Sequence, residues 1–401
     1  MRLGLALTRE NQVALEVQWD ATAALIAQEP AELELTFGNR VSVLRDGRQT
    51  LPAIFSAIRA AQRFIHLEYY VVENVHSEGQ SLRDLLVERS RAGVQIALIY
   101  DALGSSSTSA SFFEELRQHG IQMLSFNPLH PLKALLPYSL NCRDHRKILI
   151  ADGRLAIVGG INLMVAYEDK KPRGWRDTDL QLEGPAVAQL QRLFLEHWYE
   201  HGGRPLGDRL SHPSSVRPGQ ESVGIIGSAG SRGRLQYYRA VLAGLGAAKH
   251  RVWITAGYFL PTPALLVELV RAARRKVDVR LLLPSHNDSL ASLAVQRSTY
   301  TRLLQAGIKI FERNTVILHS KSIIIDRCWC AVGSSNLDYR SVYFNDEVDA
   351  IVIGAETSAK LEQLFLSDLS QSDQIVLELW RRRPLRQKLQ EAFWRVWQRL
   401  L

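Results

Sequence analysis

Two stretches decide the fold: HRKILIADGRLAIVGGIN at 145–162 and HSKSIIIDRCWCAVGSSN at 319–336. Each opens on His-x-Lys, runs through apolar residues to an Asp, and closes on a Gly-Gly or Gly-Ser pair with an Asn two residues later. Of the eleven histidines, only His145 and His319 stand in the pattern H-x-K-x(4)-D. One such pattern is weak evidence. Two with the same downstream spacing mark an internal duplication, and a duplication fixes the architecture before any local reading does.

The likeness extends on both sides. RFIHLEYY at 63–70 aligns with RVWITAGY at 251–258, placing Tyr70 opposite Tyr258. AGVQIALIYD at 92–101 aligns with RKVDVRLLLP at 275–284, HGIQML at 119–124 with AGIKIF at 306–311, and RDTDLQLEG at 176–184 with DEVDAIVIG at 346–354. Short β-branched runs alternate with helical patterns such as SLRDLLVERSRAG and ALLVELVRAARRK, so each copy is an α/β unit with helices covering a sheet. Half of residues 201–220 are Gly, Pro or Ser, the composition of a linker. The expected division is an unplaced extension at 1–36, a first unit at 37–200, the linker at 201–220, a second unit at 221–379 and a basic tail at 380–401. The first copy carries thirteen extra residues within Phe126–Leu140, an apolar stretch with three prolines. It reads either as a loop packed on the core or as an apolar wall at the mouth of a site.

At 401 residues, 46% hydrophobic and 22% charged, the chain has ample material for a core, which excludes disordered, collagenous and small disulfide-framed classes. Three cysteines, no apolar run of the roughly 18–20 residues that spans a bilayer, and a first apolar stretch too short for a secretory signal suggest a reducing, cytosolic setting. Cys328 and Cys330 are expected as buried thiols, and Cys142 has no assigned role. The net charge is +8, but residues 380–401 hold seven Lys/Arg against Glu391, leaving 42 basic against 40 acidic residues elsewhere. A basic track for nucleic acid is therefore not expected. After Pro384, Leu385, Leu389, Phe393, Val396, Trp397, Leu400 and Leu401 fall at helical spacing. The tail reads as an amphipathic helix, either an anchor on an anionic membrane surface or a helix docked on the second unit.

In a strand, residues i and i+2 share a face, so His145 with Lys147, and His319 with Lys321, can converge on one ligand. Asp152 and Asp326 fall at the turn ending each strand and read as structural. Gly159, Gly160 and Gly333 suit a close approach of backbone to ligand, and Asn162 and Asn336 can donate to an anionic oxygen. Tyr70 and Tyr258 are placed either at the cleft or in the core.

These residues resemble the phospholipase D superfamily, whose two HKD motifs form a single active site. HSKSIIIDRCWCAVGSSNLDYRSVYFNDE resembles in particular the short bacterial cardiolipin synthases without N-terminal membrane helices. The resemblance implies a pseudo-twofold duplication of an α-β-α sandwich with the active site between the halves. It implies a phosphatidyltransferase that makes cardiolipin from two phosphatidylglycerol molecules, releases glycerol, and works at the cytoplasmic face of the membrane without metal or other cofactor. A hydrolase or a less selective headgroup exchanger is the alternative; a nuclease of the superfamily fits the charge less well. His145 would attack phosphorus and His319 act as acid and base. Lys147, Lys321, Asn162 and Asn336 would stabilise the phosphoryl oxygens, and Arg340 would be a structural or phosphate-side contact. An acidic residue orients each histidine in this family, and the expected pairs are Asp177 with His145 and Glu347 with His319.

Overall fold

The computed structural model describes residues 33–128, 142–168, 174–206, 216–228 and 234–396. The expected apolar wall therefore lies largely outside the described residues, as do the core of the linker, most of the N-terminal extension and the last five residues of the tail.

The first copy runs β1 (Thr36–Arg45), α1 (Asp46–Ala60), β2 (Phe64–Tyr69), the small ribbon β3 (His76–Ser77) and β4 (Gln80–Ser81), α2 (Leu82–Arg91), β5 (Gln95–Asp101), α3 (Ala110–Gln118), β6 (Gln122–Phe126), β7 (Lys147–Ala151), β8 (Leu155–Gly159), β9 (Thr178–Glu183) and α4 (Ala186–Glu200). The second runs β10 (Glu221–Gly227), α5 (Arg234–Ala247), β11 (Arg251–Thr255), α6 (Pro263–Arg274), β12 (Asp278–Pro284), α7 (Leu290–Ser298), α8 (Tyr300–Gln305), β13 (Lys309–Arg313), β14 (Ser322–Ile325), β15 (Trp329–Gly333), α9 (Tyr339–Tyr343), β16 (Val348–Ile353) and α10 (Ala355–Leu369). Beyond it come β17 (Ser372–Ile375), α11 (Leu377–Arg381) and α12 (Leu385–Val396).

All the strands except β3 and β4 form one fifteen-stranded sheet in the order β17-β13-β12-β11-β14-β15-β16-β10-β1-β9-β8-β7-β2-β5-β6. Outward from the central pair, in which β1 and β10 run antiparallel with Thr36 opposite Val223, the two flanks repeat each other strand for strand, and β17 adds one further strand beyond β13. Inner strands such as β2, β7 and β15 are buried along their whole length because both faces of the sheet are covered there. Alternate residues of β2, Phe64 and Ile65, enter different cores. One core, under α4 and α10, is continuous across the seam: Phe194 and Trp198 belong to it with Trp253 and Phe365. The opposite face has a separate core for each copy, under α1–α3 in one and under α5, α6 and α8 in the other. Burying each large aliphatic or aromatic side chain contributes about 1.5–3 kcal/mol, so the shared core holds the two copies in fixed register.

The two motif strands turn alike. β7 and β8 are joined through Asp152 and Gly153, and β14 and β15 through Asp326 and Arg327, all four with positive φ. That is the backbone of the tight hairpin turn. The Asp152 carboxylate accepts from the backbone N–H groups of Gln62, Arg63 and Phe64, and Asp326 accepts from those of Lys249, His250 and Arg251. Each motif Asp ties its hairpin to the entry of the neighbouring strand, the structural role read from its position.

Candidate active site

His145 stands two residues before β7 and His319 three residues before β14, where the two copies meet. The chain before each histidine pairs with the other copy. Asp144 bridges to Asp346 and Leu318 to Arg176 as isolated parallel bridges. The backbone N–H of His145 donates to Asp346 O at 2.8 Å, and that of His319 to Arg176 O at 2.8 Å.

These cross-bridges correct the expected carboxylate pairing. His145 Nδ1 lies 2.9 Å from Glu347 Oε2, and His319 Nδ1 lies 2.7 Å from Asp177 Oδ2. Each histidine is held by the acidic residue of the opposite copy. The reason is the topology: Asp177 and Glu347 immediately precede β9 and β16, which flank the central β1–β10 pair, so each projects across the seam to the partner copy's motif. With Nδ1–H committed to a carboxylate, the Nε2 of each ring carries the lone pair.

Further hydroxyls hold these carboxylates. Tyr167 Oη donates to Asp177 Oδ2 at 2.8 Å and lies 3.1 Å from His319 Nδ1. Ser341 Oγ donates to Glu347 Oε1 at 2.8 Å, Ser334 Oγ to Oε2 at 2.5 Å, and Asn345 Nδ2 to Oε1 at 3.3 Å. Sequence reasoning missed Tyr167, Ser334 and Asn345 and gave Ser341 no role. A signal was available: Tyr167 and Ser341 both stand five residues after the motif asparagine.

The glycines serve a different approach from the one expected. A Cβ on Gly160 would meet Asp177 Oδ1 at 2.2 Å, and one on Gly159 or Gly333 would meet the Oδ1 of Asp179 or Asp349 at 2.1 Å. They make room for buried carboxylates of the protein itself. Asn162 Oδ1 accepts from the N–H of Val71, which leaves its amide hydrogens as donors, and the N–H of Asn336 donates to Ser341 Oγ.

Lys147 and Lys321 are buried, and each donates to the carbonyl of its own motif histidine. Lys321 Nζ also lies 2.9 Å from His319 Nδ1, and Lys147 Nζ lies 5.5 Å from the Tyr70 ring centroid. The half-buried Tyr70 stands edge-on to His145, with centroids 5.3 Å apart, and Tyr258 stands edge-on to His319 at 6.5 Å. Both tyrosines thus lie against the histidines. Trp175 adds a ring 5.2 Å from His319. Arg340 is close enough for its charge to act on Tyr70 and Asp338.

Burial dominates the electrostatics. It lowers the pKa of His319 to about 4, with Lys321 adding to the fall and Asp177 opposing it. It lowers His145 as well, against the opposing charge of Glu347. Burial, resisted by Glu347 and reinforced by Lys321, brings Lys147 down to about 7, and it lowers Lys321 too. For Asp177, burial is outweighed by Lys321 and His319, which hold the carboxyl well below its usual range. Glu347 is likewise kept low against burial by His145 and Lys147. Asp177 and Glu347 oppose the fall at both lysines, and an entering phosphodiester anion would raise the pKa of every cation around it.

Behind His145 lies another buried group, Glu68, Asp144 and His197, whose ligand atoms fall within 4.8 Å of one another. The guanidinium of Arg146 donates to Glu68 Oε1 at 2.8 Å, and His197 Nδ1 lies 2.7 Å from the same oxygen. Arg146 holds the place a metal cation would take, so the residues do not fit a metal centre. Burial, reinforced at Asp144 by Glu68, raises both carboxyls.

The architecture has a counterpart among solved structures. The phosphatidylserine synthase of Haemophilus influenzae Rd KW20 superposes with a TM-score of 0.71, covering 95% of this chain and all of that one, at 13% identity. A polyphosphate kinase of Porphyromonas gingivalis shares the fold over 82% of this chain with a TM-score of 0.53, also at 13% identity. This is the two-copy fold of phospholipase D-like proteins. Residues 54–198 and 241–369 match the family described as cardiolipin synthase, PLD-like domain, and the chain belongs to that family. Among its relatives, the cardiolipin synthase of Geobacillus kaustophilus strain HTA426 is 36% identical over 381 residues, which span 94% of this chain and 74% of that protein. The cardiolipin synthase of Alkalihalophilus pseudofirmus strain OF4 is 36% identical over 372 residues, 92% of this chain and 73% of the relative.

Proposed function

We propose that this protein is a phosphatidyltransferase that makes cardiolipin from two molecules of phosphatidylglycerol and releases glycerol. The observation that carries the reading is the pair of histidines, one from each copy, each with Nδ1 on a carboxylate and a buried lysine alongside. That pair supplies a nucleophile and an acid for one phosphodiester.

In the first step His145 Nε2 attacks phosphorus of the donor lipid, the bond from phosphorus to the glycerol headgroup oxygen breaks, and His319 delivers its Nε2 proton to that oxygen. In the second, the headgroup hydroxyl of another phosphatidylglycerol gives its proton to His319 Nε2 and its oxygen attacks phosphorus. The phosphorus–nitrogen bond breaks, and cardiolipin leaves. Burial favours a neutral His145. The phosphate anion restores protonation of His319 by offsetting the lysine charges. Lys147 and Lys321, with the amides of Asn162 and Asn336, stabilise the non-bridging oxygens, each well-placed donor contributing about 3–4 kcal/mol to the transition state. Glu347 orients His145 and Asp177 orients His319. The working units are the copies at 37–200 and 221–379. The setting is peripheral, on the cytoplasmic face of an anionic membrane; no helix among the described residues is long and apolar enough to cross one.

The test is incubation of the purified protein with phosphatidylglycerol vesicles, with and without phosphatidylethanolamine, and identification of every product. Cardiolipin and glycerol in equal amounts support the reading. Phosphatidic acid in place of cardiolipin would make the protein a hydrolase.

A further inference from the structure

Helix α12 is amphipathic with its faces reversed. A helix on a globular protein normally turns its apolar stripe to the core. Here Glu391 is buried at 3% exposure and Gln387 and Trp394 are half-buried, whereas Leu385, Leu389, Phe393 and Val396 are 58–78% exposed. A polar clamp holds the helix: Arg383 binds Glu391 through Nη2 at 2.7 Å and Nε at 3.0 Å, and its guanidinium stacks 4.5 Å from the Trp380 ring centroid. Trp380 in turn packs on Tyr300 at 5.1 Å. The apolar stripe therefore contributes little to attaching the helix, and its exposure needs another cause.

Charge identifies the occupant. Glu391 is the sole acidic residue of 380–396, and Arg383 already pairs with it; Arg381, Arg382, Arg386, Lys388 and Arg395 are all exposed. Arg386 lines the same face as Leu389 and Phe393. The location fits as well. α12 packs along α7, and α7 begins two residues after Asp288, which accepts a hydrogen bond from Tyr258, the tyrosine against His319. Leu290, at the start of α7, is 81% exposed.

We propose that α12 docks the protein on an anionic phospholipid bilayer, with Leu389 and Phe393 entering the acyl boundary and the surrounding cations on the headgroups. The proposal deepens the reading of a lipid-processing site and rests on it only for the choice of phosphatidylglycerol.

The experiment compares the full chain with Leu389→Glu/Phe393→Glu and Leu389→Ala/Phe393→Ala in sedimentation with vesicles of phosphatidylglycerol and phosphatidylcholine. Melting temperature, elution volume and turnover of detergent-dispersed phosphatidylglycerol are recorded in parallel. Expected are salt-sensitive binding of the wild type to the anionic vesicles and a loss of roughly tenfold or more in the Glu variant, with a smaller loss in the Ala variant. Melting temperature and detergent turnover should be retained; if the Glu variant melts early, the Ala variant carries the comparison. Wild-type chain that ignores anionic vesicles, or variants that bind them equally well, would overturn the proposal. A shift from dimer to monomer with unchanged vesicle binding would instead give the face to a second copy. Vesicle binding that depends on Leu389 and Phe393 without any lipid turnover would keep the docking surface and remove the substrate reading.

Discussion

The two histidine–carboxylate pairs occupy equivalent positions and are assembled from different parts. His319 rests on the short carboxylate Asp177, which is steadied by the long side chain of Tyr167. His145 rests on the longer Glu347, steadied by the short Ser341. At the next position Gly160 leaves room for Asp177, whereas Ser334 donates to Glu347. The reach from backbone to histidine is conserved and its division between partners is not. The residue between His and Lys differs too. Arg146 is fully buried against Glu68 and the carbonyl of Ser228, while the Ser320 hydroxyl donates to Thr178 Oγ1 at 2.9 Å. The second pair finds its guanidinium elsewhere: Arg176, just before Asp177, binds Asp368 through Nε at 2.8 Å. A duplication under one chemical demand keeps the reacting geometry and lets each shell diverge.

If the two pairs form one site, His145→Ala and His319→Ala each lower cardiolipin formation by about 10⁴-fold or more, and the double variant is no worse than either alone. Independent sites would leave about half the activity in each single variant. Next in size, Glu347→Gln and Asp177→Asn should lower turnover by about 10²–10⁴-fold, since an amide acceptor no longer stabilises the charged ring. The ratio of the two losses measures how unequal the pairs are in the reaction.

The asymmetric shell is tested by stability. Arg146→Met removes the buried cation that balances Glu68, leaving only the His197 contact, and should cost about 3–5 kcal/mol in denaturant unfolding, against about 1 kcal/mol for Ser320→Ala. Equal losses would show that the apparent difference between the shells has no energetic content. The smallest effects are expected from the hydroxyls. Tyr167→Phe and Ser341→Ala each remove one hydrogen bond to a carboxylate, about 1.5–3 kcal/mol, or roughly 10–100-fold in turnover when fully expressed in the transition state. Tyr167→Phe should also shift the acidic limb of the pH–rate profile through His319, an effect that a merely structural tyrosine would not produce.

Much of this was legible in the residues. The repeated H-x-K-x(4)-D located the motif hairpins, and the β-branched runs and helical patterns around it gave the layers, because periodicity reports directly on which faces are covered. The crossing of the carboxylates was not legible. Aligning copies establishes that Asp177 and Glu347 are equivalent, but a twofold arrangement permits pairing within a copy or between copies, and only the β1–β10 seam decides. The glycine pairs were singled out for close approach of a ligand, yet what approaches is a carboxylate of the protein itself. In α12 the helical spacing fixed the apolar stripe, while the face turned inward depends on the Arg383–Glu391 clamp, a tertiary contact invisible to periodicity.

The most direct test of the shared site is to incubate the protein with phosphatidylglycerol labelled in its phosphate, quench in alkali, which preserves phosphohistidine, and map the label after digestion. The account predicts label on His145 in the wild type, accumulating in His319→Ala and absent in His145→Ala. Turnover with label on neither histidine would contradict it, and label on His319 would exchange the two roles.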